Sequence, residues 1–155
     1  IMFLSEDTGF IFESFKVMPH SFLLKPLEKK AFFAVLDDFF LYNPLHRPLW
    51  VKSGDDVFCF ETHDIFYLEA DNKNCFIGLQ NGKVRCKKTM ARVYGNLPKT
   101  HFGKINRAYV VNFNYITGYN NECISLVNGK TLHISRNYYK SFKDEYKSFA
   151  DPHVI

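Results

Sequence analysis

Between Asn72 and Asn121 the chain carries no acidic residue and nine basic ones: Lys73, Lys83, Arg85, Lys87, Lys88, Arg92, Lys99, Lys104 and Arg107. A one-signed stretch of that length suits a polyanionic partner, although a solvated basic surface has the same composition. On nucleic acid these residue types have definite chemistry. Arg can bond guanine bidentately and Asn can do the same to adenine. Lys residues on loops pair with phosphate oxygens and set register.

Other chemistries find little support. There is no G-x-S-x-G, no glycine-rich phosphate loop, no H-E-x-x-H and no recognisable pair of catalytic acids, and the six His residues are scattered. An enzyme is therefore not expected. Cys59, Cys75, Cys86 and Cys123 contain no C-x-x-C pair, which is poor zinc spacing. They read as reduced thiols of a cytosolic protein. No metal and no cofactor are expected. No apolar run reaches the roughly 18 residues that span a bilayer, and no signal peptide is expected. The chain opens inside an apolar run, Ile1-Met2-Phe3-Leu4, so it reads as a piece of a longer protein.

The elements that must position the basic residues fall into two groups. Residues 1–50 carry five Lys/Arg against six Asp/Glu, and residues 51–155 carry fifteen against ten, so the positive charge belongs to the second group. The first group alternates strand and helix: a strand at Ile1–Leu4, a helix from Thr8 to Val17 bearing Phe12 and Phe15, a strand at Ser21–Leu24, and a helix from Leu27 to Phe40. That alternation suggests parallel α/β. Asn43-Pro44 and Arg47-Pro48 mark a linker over 41–49.

From Trp50 the periodicity becomes two. Strands are expected at Val57–Phe60, Ile65–Ala70, Phe76–Gln80 and Lys83–Lys87, with Asn81-Gly82 as a hairpin turn. In the strand after that turn, Val84 and Cys86 face one way, and Lys83, Arg85 and Lys87 the other. A short helix, Thr89–Leu97, has Thr89 as N-cap and Met90, Val93 and Leu97 as its apolar stripe. A strand at Tyr109–Val111, a hairpin of Ile124–Val127 and Thr131–Ser135 around Asn128-Gly129, and a helix from Asn137 to Phe149 complete the chain. An aromatic content of 17% favours strands, so the fold is expected to be mainly β.

Four ordered stretches carry a resemblance: DIFYLEADNKNCFIGL (64–79), QNGKVRCKKTMARVYGNL (80–97), HFGKINRAYVVNFNYITGY (101–119) and SLVNGKTLHISRNYYKSFK (125–143). Together they resemble the LytTR family over residues 50–150, with a tail at 151–155. The resemblance implies an elongated antiparallel β domain that inserts loops into successive major grooves of double-stranded DNA. Carried over by position, the first loop holds Lys73, Asn74 and Cys75, the second Lys104, Ile105, Asn106 and Arg107, and the third Arg136 and Asn137. Lys87 and Lys88 add phosphate contacts. Each residue also has a plainer reading. Asn106 can cap a turn, Arg107 and Arg136 can form surface ion pairs, and Lys87 and Lys88 can be a solvated face. Phe102, Tyr109 and Phe113 read as core.

Residues 1–40 resemble the C-terminal half of a receiver (CheY-like) domain. FLSED (3–7) is similar to its fourth strand, with Ser5 at the phosphoryl-sensing hydroxyl. HSFLLKP (20–26) is similar to its fifth, with Phe22 as switch aromatic and Lys25 before Pro26. The combination implies a cytoplasmic bacterial response regulator of a two-component system. It would be driven by phosphorelay from a sensor histidine kinase in the full-length protein and would bind promoter DNA as a homodimer, with no membrane contact. Two other readings suit a basic, aromatic-rich β chain: a single-stranded nucleic-acid-binding barrel, and a LytTR-like protein-interaction module that does not bind DNA.

Overall fold

The computed structural model describes residues 2–43 and 46–150, excluding the side chains of Phe12, Phe15, Leu41 and Tyr42. Ile1, Pro44 and the expected tail at 151–155 lie outside the described residues, as does the packing of Phe12 and Phe15. The chain divides into two compact units, Ile1–Pro44 and Leu45–Ile155.

In the first unit, β1 (Met2–Ser5) and β2 (Ser21–Leu24) pair in parallel, Met2 opposite Ser21 and Ser5 opposite Leu24. The helix expected between them is broken. A 3-10 turn over Thr8–Phe10, capped by Asp7, leads into α1 (Ile11–Ser14) and a second 3-10 turn over Phe15–Val17. The Ser14 hydroxyl donates to the Ile11 carbonyl at 2.6 Å, a local bond that competes with regular helix. The next helix, α2 (Lys29–Tyr42), starts and ends two residues later than expected and so occupies the start of the expected linker. Asn43 ends it, its backbone N–H and side-chain amide both donating to the Phe39 carbonyl.

The second unit is built on antiparallel strands. β3 (Pro48–Ser53) and β4 (Asp56–Glu61) form a hairpin; β3 begins at Pro48, inside the expected linker. β5 (Tyr67–Asp71), β6 (Asn74–Leu79), β7 (Gly82–Cys86), β8 (Phe102–Lys104) and β9 (Tyr109–Asn112) form a five-stranded sheet in the order β7-β6-β5-β9-β8. β10 (Ile116–Tyr119), β11 (Cys123–Leu126) and β12 (Thr131–His133) form a third sheet. Two helices complete the unit, α3 (Met90–Tyr94) and α4 (Arg136–Ala150). Thr89 caps α3 as expected, accepting from the Arg92 N–H.

Both faces of the five-stranded sheet are buried. On one, Leu68, Cys75, Ile77 and Val110 pack with Leu49 and Val51 of β3 and with Met90, Val93 and Leu97. On the other, Tyr67 and Val111 pack with Ile124, Leu126, Leu132 and Phe142. Neighbours such as Val110 and Val111 point to opposite faces, so a sheet covered on both sides reads as an unbroken apolar run. Double coverage also explains Gly78. It pairs with Tyr67, and a Cβ there would run into the Tyr67 ring. β8 and β10 were not expected. β8 is three residues long, and β10 is exposed over most of its length, so neither carries an apolar alternation.

A candidate nucleic-acid interface at one end of the sheet

Strand direction alone gathers the expected site residues. The β5–β6 pairing sets Asp71 opposite Asn74, the β6–β7 pairing sets Cys75 opposite Cys86, and the β5–β9 pairing sets Glu69 opposite Tyr109. Lys104 pairs with Val110. The C-terminal ends of β5, β7 and β8 and the N-terminal ends of β6 and β9 therefore share one end of the sheet. That end carries Lys73, Asn74, Lys87, Lys88, Lys104, Asn106 and Arg107.

The β5–β6 turn has two residues. Asn72 takes the left-handed conformation at φ 51, which Asn tolerates better than most side chains, and Lys73 stands exposed beside it. Asn74 is already the first residue of β6. Cys75 is not part of this loop, contrary to the family-based expectation. It is fully buried in the core, and burial pushes its thiol pKa up to about 12, so it meets neither DNA nor oxidant.

The second loop is held from within. Asn106 Oδ1 accepts from the N–H groups of Ala108 and Tyr109, both at 2.8 Å. Its Nδ2 donates to the His133 carbonyl at 2.6 Å. Asn106 is thus the anchor of the loop and not a free reader of bases. Ile105, fully buried, accepts from Ser135 N–H at 3.0 Å. The Ala108 carbonyl accepts from Ala70 N–H at 2.7 Å. These bonds tie the second loop to the end of β5 on one side and to the segment entering α4 on the other.

That last tie brings in Arg136 and Asn137. From the sequence, a strand ends at Ser135 and the last helix begins at Asn137, while the family resemblance puts both residues in a loop. The structure makes them the first two residues of α4, with Tyr138 and Tyr139 both donating to the Ser135 carbonyl. The first turn of α4 contains no acidic residue, so its free N–H groups and positive dipole end are uncompensated and favour an anion.

The charged residues at this end of the sheet differ in their partners. Glu69 is held by Lys83 at 3.0 Å and Lys130 at 3.8 Å, and these cations keep it ionised against the opposing effect of burial, with its pKa lowered. Among the described residues neither Arg107 nor Arg136 has an ion-pair partner, and both are exposed. Not every cation of the acid-free stretch is available in this way. Lys83 is spent on Glu69 and the Phe76 ring. Lys99 lies over the Tyr94 ring, donates to the Tyr94 carbonyl, and has its pKa lowered by burial and then by Lys104. Lys104 sits 5.7 Å from the same ring.

Phe102 is fully buried in one core and Phe113 in the other, against which Tyr109 packs. No aromatic platform for unstacked bases is built from them. The anchoring partners His133, Ser135 and Ala70 escaped the sequence reading, because they contribute only backbone groups.

Residues 55–147 match the family model described as the LytTr DNA-binding domain. The chain belongs to the LytTR family. A LytTr DNA-binding domain of a putative methyl-accepting/DNA response regulator from Bacillus cereus has the same fold, with a TM-score of 0.56 and 22% identity over 63% of this chain and 94% of that one. Among curated proteins, the chain is 20% identical to the transcriptional regulatory protein NatR of Bacillus subtilis, covering 75% of this chain and 51% of that protein. It is also 20% identical to the sensory transduction protein LytT of Enterococcus faecalis, covering 94% of this chain and 67% of that protein. The chain thus spans about half of one relative and two thirds of the other. Its LytTR domain is mainly β.

In the first unit, Ser5, Phe22 and Lys25 sit on or just after the parallel pair. Lys25 N–H donates to the Ser5 carbonyl at 2.8 Å, Lys25 Nζ lies 3.7 Å from Glu6, and the Phe22 and Phe3 ring centroids are 6.4 Å apart. Ser5 and Lys25 therefore share the C-terminal end of the two strands, where parallel sheets place ligand sites. Among the described residues no helix is long and apolar enough to cross a membrane.

One stability consequence follows from the second loop. Asn106→Ala removes three hydrogen bonds at a half-buried turn and is expected to cost about 1–3 kcal/mol. Arg107 would lose its fixed position at the same time. Urea denaturation measures the first effect. A loss below about 0.5 kcal/mol would mean that water replaces the amide without penalty.

Proposed function

We propose that the LytTR domain reads double-stranded promoter DNA in a sequence-specific way through the end of the sheet described above. Arg107 and Arg136 are its base readers, with Asn137 beside them, and Lys73, Asn74, Lys87, Lys88 and Lys104 hold the phosphate backbone. Asn106 acts by fixing the loop. The observation that carries this reading is the convergence of two loops and the acid-free start of α4, from distant parts of the sequence, with two unpaired arginines. Duplex is favoured over single strands because Phe102 and Phe113, the aromatics nearest the second loop in sequence, are spent on the cores. The names of the relatives support a place in bacterial signal transduction. Residues 1–40 then serve as part of a receiver domain, with Ser5, Phe22 and Lys25 in its phosphorylation switch, and a cytoplasmic sensor kinase system acts upstream.

Titration of the chain with duplex at rising salt tests the reading. Affinity is expected to fall by orders of magnitude between about 50 and 200 mM monovalent salt, as released counterions dictate. Lys87→Ala should weaken every duplex alike and reduce the salt slope by about 1. Affinity that is flat in salt would favour a protein-interaction module instead.

The protein is further proposed to act as a homodimer on DNA. In the first unit Leu4, Phe10, Leu24 and Phe33 are each more than two-fifths exposed, and apolar exposure of that kind favours association. Light scattering that finds only monomers at high concentration, with and without duplex, would remove this part of the proposal.

A further inference from the structure

Far from the DNA-facing end, three side chains converge that have no part in the reading above. His46 precedes β3, Glu61 ends β4, and His63 lies in the 3-10 turn Thr62–Asp64. Their ligand atoms all lie within 4.8 Å of one another. Glu61 Oε2 is 3.7 Å from His46 Nδ1 and 3.1 Å from His63 Nδ1. Tetrahedral zinc with bonds of about 2.1 Å sets its ligand atoms about 3.4 Å apart, and the two measured separations bracket that edge.

The state of His63 is the second observation. Its Nδ1 is shielded from solvent and makes no hydrogen bond, despite its approach to Glu61. A shielded ring nitrogen that approaches a carboxylate without hydrogen-bond geometry calls for an explanation, and a shared ion is one. The opposite ring nitrogen, Nε2, lies 3.3 Å from Asp64 Oδ1. A carboxylate on the far nitrogen of a ligating imidazole is the usual support for a metal-binding histidine, since it fixes the tautomer and raises basicity. The backbone on both sides is also fixed. The buried Thr62 hydroxyl donates to the Arg47 carbonyl at 2.7 Å. The Tyr115 hydroxyl donates to the His63 carbonyl, and its ring stacks on Phe66 at 3.9 Å.

We propose that His46, Glu61 and His63 form a binding site for a divalent transition-metal ion, with Zn2+ the best match to two imidazoles and one carboxylate. Asp64 supports the His63 ring, and solvent or an external ligand completes the coordination. The ion ties the segment before β3 to the end of β4 and the following turn, so it stabilises the domain without touching the DNA-facing surface.

Calorimetric titration of the metal-free, tag-free chain with Zn2+ at neutral pH tests this. One saturable equivalent is expected, together with a Zn2+-dependent rise in Tm and, with Co2+, the visible absorption of a tetrahedral centre. His63→Ala and His46→Ala should each abolish saturable binding and the rise in Tm. Asp64→Asn should weaken binding by about 10–100-fold. If His63→Ala disturbs folding, as judged by its circular dichroism, His46→Ala and Asp64→Asn still decide. Absence of saturable binding, or one equivalent retained by His46→Ala with unchanged affinity, would overturn the proposal.

Discussion

Phe142→Ala is expected to destabilise the LytTR domain by about 3–5 kcal/mol, the usual cost of emptying a buried phenylalanine site. Phe142 is fully buried. Its ring centroid lies 6.1 Å from Phe113, 5.4 Å from Tyr119 and 5.7 Å from Tyr146. Phe113 is itself fully buried just before β10, Tyr119 ends β10, and Tyr146 lies on the same helix, so the site is bounded by three separate elements. The effect should extend to function, because Phe142 seats the helix whose first turn presents Arg136 and Asn137. Equilibrium urea denaturation gives the energy from the shift in midpoint at unchanged slope. A loss near 1 kcal/mol would show that α4 is held mainly by its ends.

Arg107→Ala and Arg136→Ala are each expected to lower discrimination between the preferred duplex and random duplex by about 1–3 kcal/mol, the worth of a bidentate base contact. Because both arginines are exposed and unpaired in the protein, no internal bond is broken by their removal, and stability should change by less than about 0.5 kcal/mol. That separation distinguishes them from Asn106, whose loss acts through the fold. The preferred duplex comes from selection out of a random library, and each variant is then titrated with selected and random duplex at one salt concentration. Equal losses on both duplexes would reassign the arginine concerned to phosphate contact.

At Arg136 and Asn137 the family-based loop gave way to helix: the helix expected from Asn137 begins one residue earlier, at Arg136. A strand pattern runs through Thr131–Ser135, so the expected helix start fell one residue late. In the first unit a 3.6-residue pattern predicted one helix from Thr8 to Val17, yet Ser14 and the two 3-10 turns divide it. With so few strands to pack against, tertiary burial does not impose the regular form.

By itself, the sequence determined the mainly β character of residues 50–150, a hairpin at Asn81-Gly82 (its turn proves to be Gln80-Asn81, with Gly82 already paired to Leu79), the Thr89 cap, the Met90–Val93–Leu97 stripe and the positive charge of the central stretch. These are local properties. Periodicity, turn chemistry and capping act within a few residues, and charge is additive along the chain. The tertiary structure alone decided which polar residues are free to act. Asn106 and Arg107 are neighbours in sequence and equally suited to base contact. Only the positions of Ala108, Tyr109 and His133 commit Asn106 to the fold and leave Arg107 outside it. Cys75 and Asn74 differ in the same way, since the pleat sends consecutive side chains to opposite faces and one of those faces is core. The shared surface of Lys73, Lys87, Lys104 and Arg107 depends on the strand order β7-β6-β5-β9-β8. That order is a matter of long-range pairing, which no window along the chain contains.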